Sequence, residues 1–199
     1  MYVLDSNVFI EAKNRYYGFD IAPGFWEWLE HSYATGKICS IKPVYDELTD
    51  RGDELAYWVK LKSHKGIFTA VYGDQVIYDF LSQIITWAEE TGYKTSATQE
   101  FADCADPLLI AFAAVHGYTV VTHERPAPNS RNKIKIPDVC EAFGVEYCDT
   151  FTMFRSTGAQ LVLRWFSPGR LSRPEISSRT LPANKSQLLS RVDRETRGR

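Results

Sequence analysis

Short apolar segments alternate with helical segments along the first 150 residues of the chain, and this alternation limits the fold more than any other feature. The predicted strands are residues 2–5, 37–41, 119–122 and 145–148, while residues 67–71 fit either a strand or a helix. Strands separated by helices predict a parallel sheet with right-handed crossovers and helices on both faces. We therefore predict an α/β fold with three layers, α/β/α, around a central parallel sheet of about four or five strands.

The predicted helices follow from apolar residues spaced three or four positions apart and from capping residues at their ends. They cover residues 8–16, 25–33, 53–62, 74–90, 108–115 and 137–143, with a further helix that begins near Pro43. In the helix at 74–90 the apolar face is predicted to carry Val76, Phe80, Ile84 and Trp87. The polar segment 96–105 is predicted to be loop-like at its start.

Length and charge distribution indicate one folded domain followed by a segment of different character. A chain of 199 residues is long enough for one domain with a sizeable core. We place the folded domain at 1–150, an ordered extension at 151–166 and a disordered basic tail at 167–199. Residues 1–166 carry a net charge of −7 and residues 167–199 carry +5. An acidic body is unusual for a nucleic-acid binder, but a carboxylate metal site would contribute to it.

The sequence contains no stretch that approaches the roughly 18 apolar residues needed for a membrane span. Asp5 and Asn7 interrupt the first apolar run, and no basic segment precedes it, unlike in a signal peptide. The cysteines form no CxxC pair and are typical of buried thiols in a reducing compartment; they are Cys39, Cys104, Cys140 and Cys148. We therefore expect a cytoplasmic protein without a membrane partner.

Acidic residues lie at the predicted ends of strands or at the starts of neighbouring helices: Asp5, Glu47, Asp103, Asp106 and Glu124. Each has a simpler explanation when taken alone, since Asp5 and Asp106 suit helix N-caps and Glu47 suits a solvated helix flank. Ligands of open parallel sheets bind at the carboxyl ends of the strands, near the point where strand order reverses. Taken together, these acids indicate a site at that edge.

A cluster of carboxylates predicts a particular chemistry. Carboxylates packed closely repel one another unless a cation lies between them. Mg²⁺ and Mn²⁺ prefer oxygen ligands and keep several waters, so few protein ligands suffice. On a nucleic-acid enzyme such a cluster would hold the ion, lower the pKa of a bound water and stabilise the phosphate during an in-line displacement.

Four segments, which contain Asp5, Glu47, Asp106 and Glu124, form a pattern that resembles a known family. They are YVLDSNVFI at residues 2–10, VYDEL at 44–48 and ADPLLIAFAAVHGYTVVT at 105–122, and Thr122 also begins the tripeptide THE. The chain resembles the PIN-domain nucleases, in particular the VapC-like toxins of bacterial and archaeal toxin–antitoxin pairs. The first segment is similar to the family's LDTNVLI-type motif, and THE stands where the family usually has Thr-x-Asn or Thr-x-Asp. The resemblance covers roughly residues 1–150.

The resemblance implies a PIN-like fold and a Mg²⁺- or Mn²⁺-dependent endoribonuclease. Such toxins are commonly held inactive by a cognate antitoxin protein and are often homodimers. Carried over by position, Asp5, Glu47 and Asp106 would be metal ligands and Glu124 the fourth acid. Ser6, Asn7 and Thr122 would orient ligands or waters.

Some features depart from the family pattern. Glu124 replaces Asp or Asn, and its longer side chain leaves open whether it reaches the metal directly or through water. Asp103 competes with Asp106 for the third position, and we prefer Asp106 because the Ile-Ala helix begins there. The segment 53–102 is longer than in the smallest members, and the tail has no counterpart, which indicates an outlying branch.

Four cations near the predicted site are candidates for holding the RNA backbone: Lys13, Arg15, Arg125 and Arg131. The alternative, surface cations that pair with nearby acids, is equally compatible with the sequence. The aromatic residues of the middle segment are predicted to form core or a dimer face rather than a base-stacking surface; they are Tyr57, Trp58, Tyr72, Tyr78, Phe80 and Trp87.

Three other functions were weighed against the ribonuclease hypothesis. A phosphatase of the haloacid dehalogenase kind needs a second acid two residues after the first, and position 7 is Asn. A DNA-directed or structure-specific nuclease shares the metal chemistry and stays open. A degenerate PIN domain that binds RNA or a protein also stays open because of Glu124, although the intact Asp5, Glu47 and Asp106 argue against it.

Overall fold

A computed structural model describes residues 1–61 and 65–162 of the chain. Its central sheet contains five parallel strands in the order β3-β2-β1-β4-β5. The strands are β1 Tyr2–Leu4, β2 Ile38–Ile41, β3 Phe68–Thr69, β4 Thr119–Val121 and β5 Tyr147–Cys148. The predicted three-layer α/β/α class is confirmed, and of the ambiguous residues 67–71 only Phe68–Thr69 form a strand. The predicted basic tail and residues 163–166 of the predicted extension lie outside the described residues.

Within the described residues, helices connect the strands and flank the sheet. They are α1 Ser6–Glu11, α2 Pro23–Ala34, α3 Lys42–Asp50, α4 Glu54–Lys60, α5 Gln75–Glu90, α6 Thr95–Asp103, α7 Asp106–His116, α8 Ile136–Phe143 and α9 Thr150–Thr157. A π-helical turn, Ala12–Tyr16, continues α1, and a 3₁₀ turn, Lys65–Ile67, precedes β3.

The loop predicted at the start of residues 96–105 is wrong, because α6 forms there. Ala97, Thr98 and Phe101 are buried at helical spacing, so one face of this polar segment packs inward. The face predicted for α5 is also partly wrong. Val76 is 61% exposed, and Ile77 and Ala88 are buried although they were not predicted. Ile84 is buried as predicted, and Phe80 and Trp87 pack against the core.

The order of the strands places a reversal point at β1. Val3 on β1 pairs with Cys39 on β2 on one side and with Val120 on β4 on the other. The chain therefore builds the sheet outward in one direction from β1 to β3 and in the other from β4 to β5. The carboxyl ends of β1 and β4, marked by Asp5 and Thr122, flank this reversal point, where open sheets bind ligands.

The core lies on both faces of the sheet, as parallel sheets require. Val3 and Leu4 of β1 and Ile38 and Ile41 of β2 are almost completely buried. Helix α7 is buried along residues 107–113 and packs against α5 and α8. A helix that is apolar on all sides belongs inside a protein, so its first residue is held rigidly.

The middle-segment aromatic residues divide between core and surface. Trp58 is buried, and Phe80 and Trp87 pack against the core, whereas Tyr57 and Tyr72 are exposed. Among the described helices, none combines the length and apolarity that crossing a membrane demands.

Candidate active site at the carboxyl edge of the sheet

Asp5 follows β1 directly and is almost completely buried. Its carboxylate accepts hydrogen bonds from Ser6 Oγ at 3.3 Å, Asn7 Nδ2 at 3.2 Å and Thr122 Oγ1 at 2.9 Å. Although Asp5 occupies the N-cap position of α1, its side chain forms no capping hydrogen bond of normal geometry. A helix-cap role therefore does not explain this residue. The three residues predicted to support the site hold its carboxylate in place.

Asp106 is the first residue of α7, and the N-cap position belongs to Ala105. The simpler explanation of Asp106 as an N-cap therefore fails as well. Its side chain is partly buried, and Pro107 in the same first turn is buried. The buried helix behind it fixes the position of the carboxylate at the edge of the sheet.

Burial and the charges of neighbouring acids raise the pKa of both aspartates. Loss of hydration raises the pKa of Asp5 to about 6, with further increases from the charges of Glu124 and Glu47, against the opposing hydrogen bond from Thr122. Loss of hydration, followed by the charges of Asp5, Glu124 and Glu47, raises the pKa of Asp106 to about 8. The fold thus brings four of the predicted acids close enough to influence one another, as sites that bind a cation do.

Glu47 connects two elements of the site. Val44 and Leu48 bury one face of α3, and Glu47 lies on its flank, as predicted. Glu47 Oε1 accepts a hydrogen bond from the backbone N–H of Ala105 at 2.8 Å. Glu47 therefore contributes negative charge and also fixes the residue that precedes Asp106.

Glu124 differs from the other acids because the protein already satisfies both of its oxygens. Lys135 Nζ donates to Oε1 at 2.6 Å, and the backbone N–H of Ile136 donates to Oε2 at 2.9 Å. These bonds leave less freedom for direct ligation, which favours contact with an ion through water. Sequence reasoning missed Lys135, since a loop of eleven positions separates it from Glu124 and no local pattern signals the contact.

Asp103 lies apart from this arrangement. It is exposed at the last residue of α6, whereas Asp106 is partly buried at the first residue of the next helix. The geometry therefore favours Asp106 for the third position.

Two of the four candidate cations are engaged with protein groups away from the carboxylates. Lys13 lies near Asp53, where it assists the Ala56 amide in lowering the pKa of that carboxyl. The guanidinium of Arg131 lies 5.7 Å from the ring centre of Tyr93. These surroundings agree with the structural explanation of the two residues, surface cations near protein groups.

The other two cations, Arg15 and Arg125, line a cleft of about 580 Å³ that opens beside Thr122 and Glu124. Arg15 Nη1 lies 3.7 Å from Glu11 Oε1, and the Arg15 side chain is 68% exposed. An exposed pair of this kind contributes little to stability, so Arg15 is free to exchange Glu11 for another anion.

The donor set fits a hard divalent cation in chemistry and in charge. Asp5, Asp106 and Glu47 offer carboxylate oxygens, which Mg²⁺ and Mn²⁺ prefer, and the raised pKa values of the aspartates show that negative charge there lacks compensation. Within residues 1–61 and 65–162, no three acidic, histidine or cysteine side chains already converge at metal-binding distance. Binding an ion would therefore require these side chains to move closer together.

Comparison with known proteins gives a family without an assigned activity. A family model described as a domain of unknown function (DUF4411) matches residues 2–161, which includes the sheet, all the acids above and α9. No curated protein matches the chain.

Proposed function

Since the chain belongs to the DUF4411 family, whose description assigns no function, we propose from the site itself that it is a Mg²⁺- or Mn²⁺-dependent endoribonuclease. The observation that carries this proposal is the pair Asp5 and Asp106 at the carboxyl edge, whose pKa values are both raised by loss of hydration and by the charges of neighbouring acids. The resemblance of residues 2–10, 44–48 and 105–122 to PIN-domain nucleases supports the same chemistry.

Each acid has a distinct task in this proposal. Asp5, held by Ser6, Asn7 and Thr122, and Asp106, held by α7, would be the direct ligands, with Glu47 beside them. The bound ion supplies a water of lowered pKa and positive charge against the phosphate.

Lys135 has a complementary task in this proposal. It neutralises Glu124, which reduces the repulsion that an incoming phosphate would meet at this edge. Glu124 would act on the ion through water.

The biological setting is part of the same proposal. The resemblance supports a toxin of a toxin–antitoxin pair, inhibited by a cognate antitoxin protein and assembled as a homodimer. The described cysteines are all free thiols, which agrees with a reducing, cytoplasmic setting.

The test compares purified wild type, Asp106→Asn and Asp103→Asn on labelled single-stranded RNA with Mn²⁺. We expect wild type and Asp103→Asn to cut RNA, and Asp106→Asn to lose at least roughly 100-fold in rate, as loss of a group that stabilises the transition state does. The exposed Asp103 is the matched control because it is the neighbouring acid of the same charge. Equal cleavage rates for wild type and Asp106→Asn would contradict the proposal that Asp106 belongs to the active site.

Substrate class is tested in the same assay with single-stranded and duplex DNA. Cleavage of DNA without cleavage of RNA would favour the DNA-directed alternative. Expression of wild type and Asp5→Asn in a bacterial host tests the toxin role, because only the wild type should stop growth and degrade cellular RNA.

One observation favours a second candidate, a degenerate domain that binds RNA or protein without cutting. Both oxygens of Glu124 are already used by Lys135 and Ile136. Thermal unfolding with added Mn²⁺ separates the candidates, since a true site gains stability with ion concentration and a degenerate one does not.

A further inference from the structure

We propose that the cleft beside Glu124 holds an unpaired nucleobase of the RNA strand, stacked on an aromatic wall formed by Tyr16, His123 and Phe151. This inference rests on the proposed ribonuclease function and adds a base-binding subsite to it. The cleft has a volume of about 580 Å³ and includes Thr122 and Glu124 in its wall, so its occupant would lie next to the carboxylates.

The rings of the aromatic wall contact one another at the cleft in tilted and edge-to-face arrangements. The ring centre of Tyr16 lies 6.0 Å from that of His123, with an interplanar angle of 34°, and 5.9 Å from that of Phe151, with an angle of 79°. Tyr16 is 45% exposed and Phe151 is 38% exposed. Both rings are therefore accessible from the cleft, and accessible aromatic rings are what single-strand binding proteins use to stack bases.

Local structure holds this wall in place. His123 Nε2 lies 2.9 Å from Thr150 Oγ1, which ties the ring to the start of α9. Tyr16 ends the π-helical turn, where the backbone N–H of Tyr17 donates to the carbonyl of Ala12 at 2.6 Å. A π-helical turn departs from regular helix geometry and occurs frequently at functional sites. The turn therefore determines the direction in which Arg15 and Tyr16 point toward the cleft.

The charges that line the cleft suit a phosphate chain. Two of its acids are already engaged: Glu124 with Lys135, and Asp149 with the backbone N–H of Thr152 at 2.7 Å. The third, Glu11, lies 3.7 Å from Arg15 in an exposed pair that Arg15 can leave for another anion. Arg125 is exposed, and no ion pair to it is found within residues 1–61 and 65–162. Arg15 and Arg125 can therefore contact the phosphates that flank a stacked base.

This combination favours a single strand over a duplex. In a duplex the faces of the bases are covered by their neighbours, so a protein ring cannot stack on them. An aromatic wall with cations around it is the arrangement that single-strand binding proteins use, and it accepts any base.

The test measures binding in EDTA, so that the readout does not depend on cleavage. Fluorescence anisotropy would follow a labelled RNA of about 12 nucleotides and a matched strand whose bases are replaced by abasic riboses. We expect wild type to bind the normal strand roughly tenfold more tightly than the abasic strand, in line with stacking contributions measured for other proteins. This comparison needs no mutant, so a folding defect cannot hide the answer.

The variants Tyr16→Leu and Phe151→Leu, singly and together, connect the effect to the wall. We expect the double variant to bind both strands equally weakly, while Tyr57→Leu, a control at an exposed tyrosine outside the cleft, behaves like wild type. Arg125→Gln should weaken both strands alike and reduce the salt dependence of binding. Circular dichroism and thermal unfolding confirm that each variant is folded.

The proposal fails if wild type binds the two strands equally, if it binds neither, or if the double variant keeps the preference for bases. It also fails if blunt duplex RNA competes as well as the single strand. These outcomes are separate from the cleavage assay. A nuclease without this subsite would still cut RNA in a manner that depends on Asp106, and a base-binding cleft without cleavage would keep the preference in EDTA.

Discussion

Negative charge is compensated differently at Asp5 and Asp106, one end of the acidic cluster, than at Glu124, its other end. Asp5 and Asp106 are buried carboxylates with pKa values raised to about 6 and about 8, mainly through burial and then through repulsion from the other acids. Glu124 has a 10% exposed side chain but accepts hydrogen bonds from Lys135 and from the Ile136 backbone. Within the described residues, Asp5 and Asp106 therefore lack a cationic partner, whereas Glu124 has Lys135.

Glu124 is stabilised by its partners in the folded chain, whereas the burial of Asp5 and Asp106 costs free energy of folding when they are ionised. Buried polar groups normally find partners, and a carboxylate with an ammonium beside it meets that rule. Asp5 accepts hydrogen bonds from three neighbouring side chains, but within the described residues neither it nor Asp106 forms an ion pair. Carboxylates with raised pKa values of this kind are concentrated at functional sites.

The largest effect should come from adding the missing cation. We expect saturating Mn²⁺ to stabilise the wild type by about 3 kcal/mol at a concentration near one hundred times the Kd. That corresponds to a rise in Tm of roughly 5–10 °C. Asp106→Asn should lose most of this gain, whereas Asp103→Asn should keep it. A Tm that does not respond to Mn²⁺ in the wild type would contradict the contrast between the two ends.

The next effect concerns pH in the absence of metal. Because the folded pKa of Asp106 is about 8 and the usual value is 3.8, the folded protein holds a proton that the unfolded chain has released between these limits. The free energy of unfolding should therefore fall as pH rises through this window, by about 2 kcal/mol or more between pH 5.5 and 8.5. The lowered pKa values of Asp53 and Asp149 have the opposite sign but act below pH 4.

Urea unfolding in EDTA across this pH range provides the measurement. Asp106→Asn removes the titrating group, so its stability should change less with pH and should exceed that of the wild type at pH 8.5. Parallel curves for the two proteins would show that Asp106 is not the cause. Metal affinity should change in the reverse direction, weakening as pH falls, because ligands must lose their protons to bind.

A smaller effect is expected at the other end of the cluster. Lys135→Met leaves Glu124 with little exposure and without its cation, which should destabilise the fold by about 1–3 kcal/mol. Glu124→Gln together with Lys135→Met should recover part of that loss, since no buried charge then lacks a partner. Thermal unfolding of both variants at neutral pH checks this. No loss in Lys135→Met would mean that the ion pair has no structural importance.

The smallest effect on stability should come from Glu47→Gln. The amide oxygen of Gln can still accept the hydrogen bond from Ala105, so unfolding should change by less than about 0.5 kcal/mol. Removal of the charge should nevertheless weaken Mn²⁺ binding. Glu47→Ala, as the comparison, should lose about 1 kcal/mol because the N–H of Ala105 loses its partner. Calorimetric titration with Mn²⁺ and urea unfolding separate the two roles.

Local pattern was sufficient to predict the sheet and the positions of its acids. β-branched and apolar runs predicted β1, β2, β4 and β5, and the placement of Asp5 after β1 follows from where that run ends. Helix α6 was missed because its buried face is carried by Ala97, Thr98 and Phe101, whose weak apolar pattern becomes clear only in contact with the core. Periodicity alone likewise misplaced part of the inner face of α5.

The side-chain partners of the acids were harder to predict than their positions. Contacts such as Glu124 with Lys135 and Glu47 with Ala105 join elements that are distant in sequence. The aromatic wall brings together Tyr16, His123 and Phe151 from three separate segments. Long-range contacts of this kind depend on how the elements pack, which no local spacing specifies.

Helix α7 determines how insertions and deletions would act on this protein. It starts at Asp106 and is buried along residues 107–113. Gly117 follows the helix, and its φ of 65° turns the chain into β4 and on to Thr122. Adding one residue inside α7 would rotate Asp106 by roughly 100° relative to the buried face. The helix could then keep either its packing in the core or the position of the Asp106 carboxylate, but not both. The exposed turn around residues 128–133 carries no such coupling. Length variation between relatives should therefore accumulate in that turn and be absent from α7.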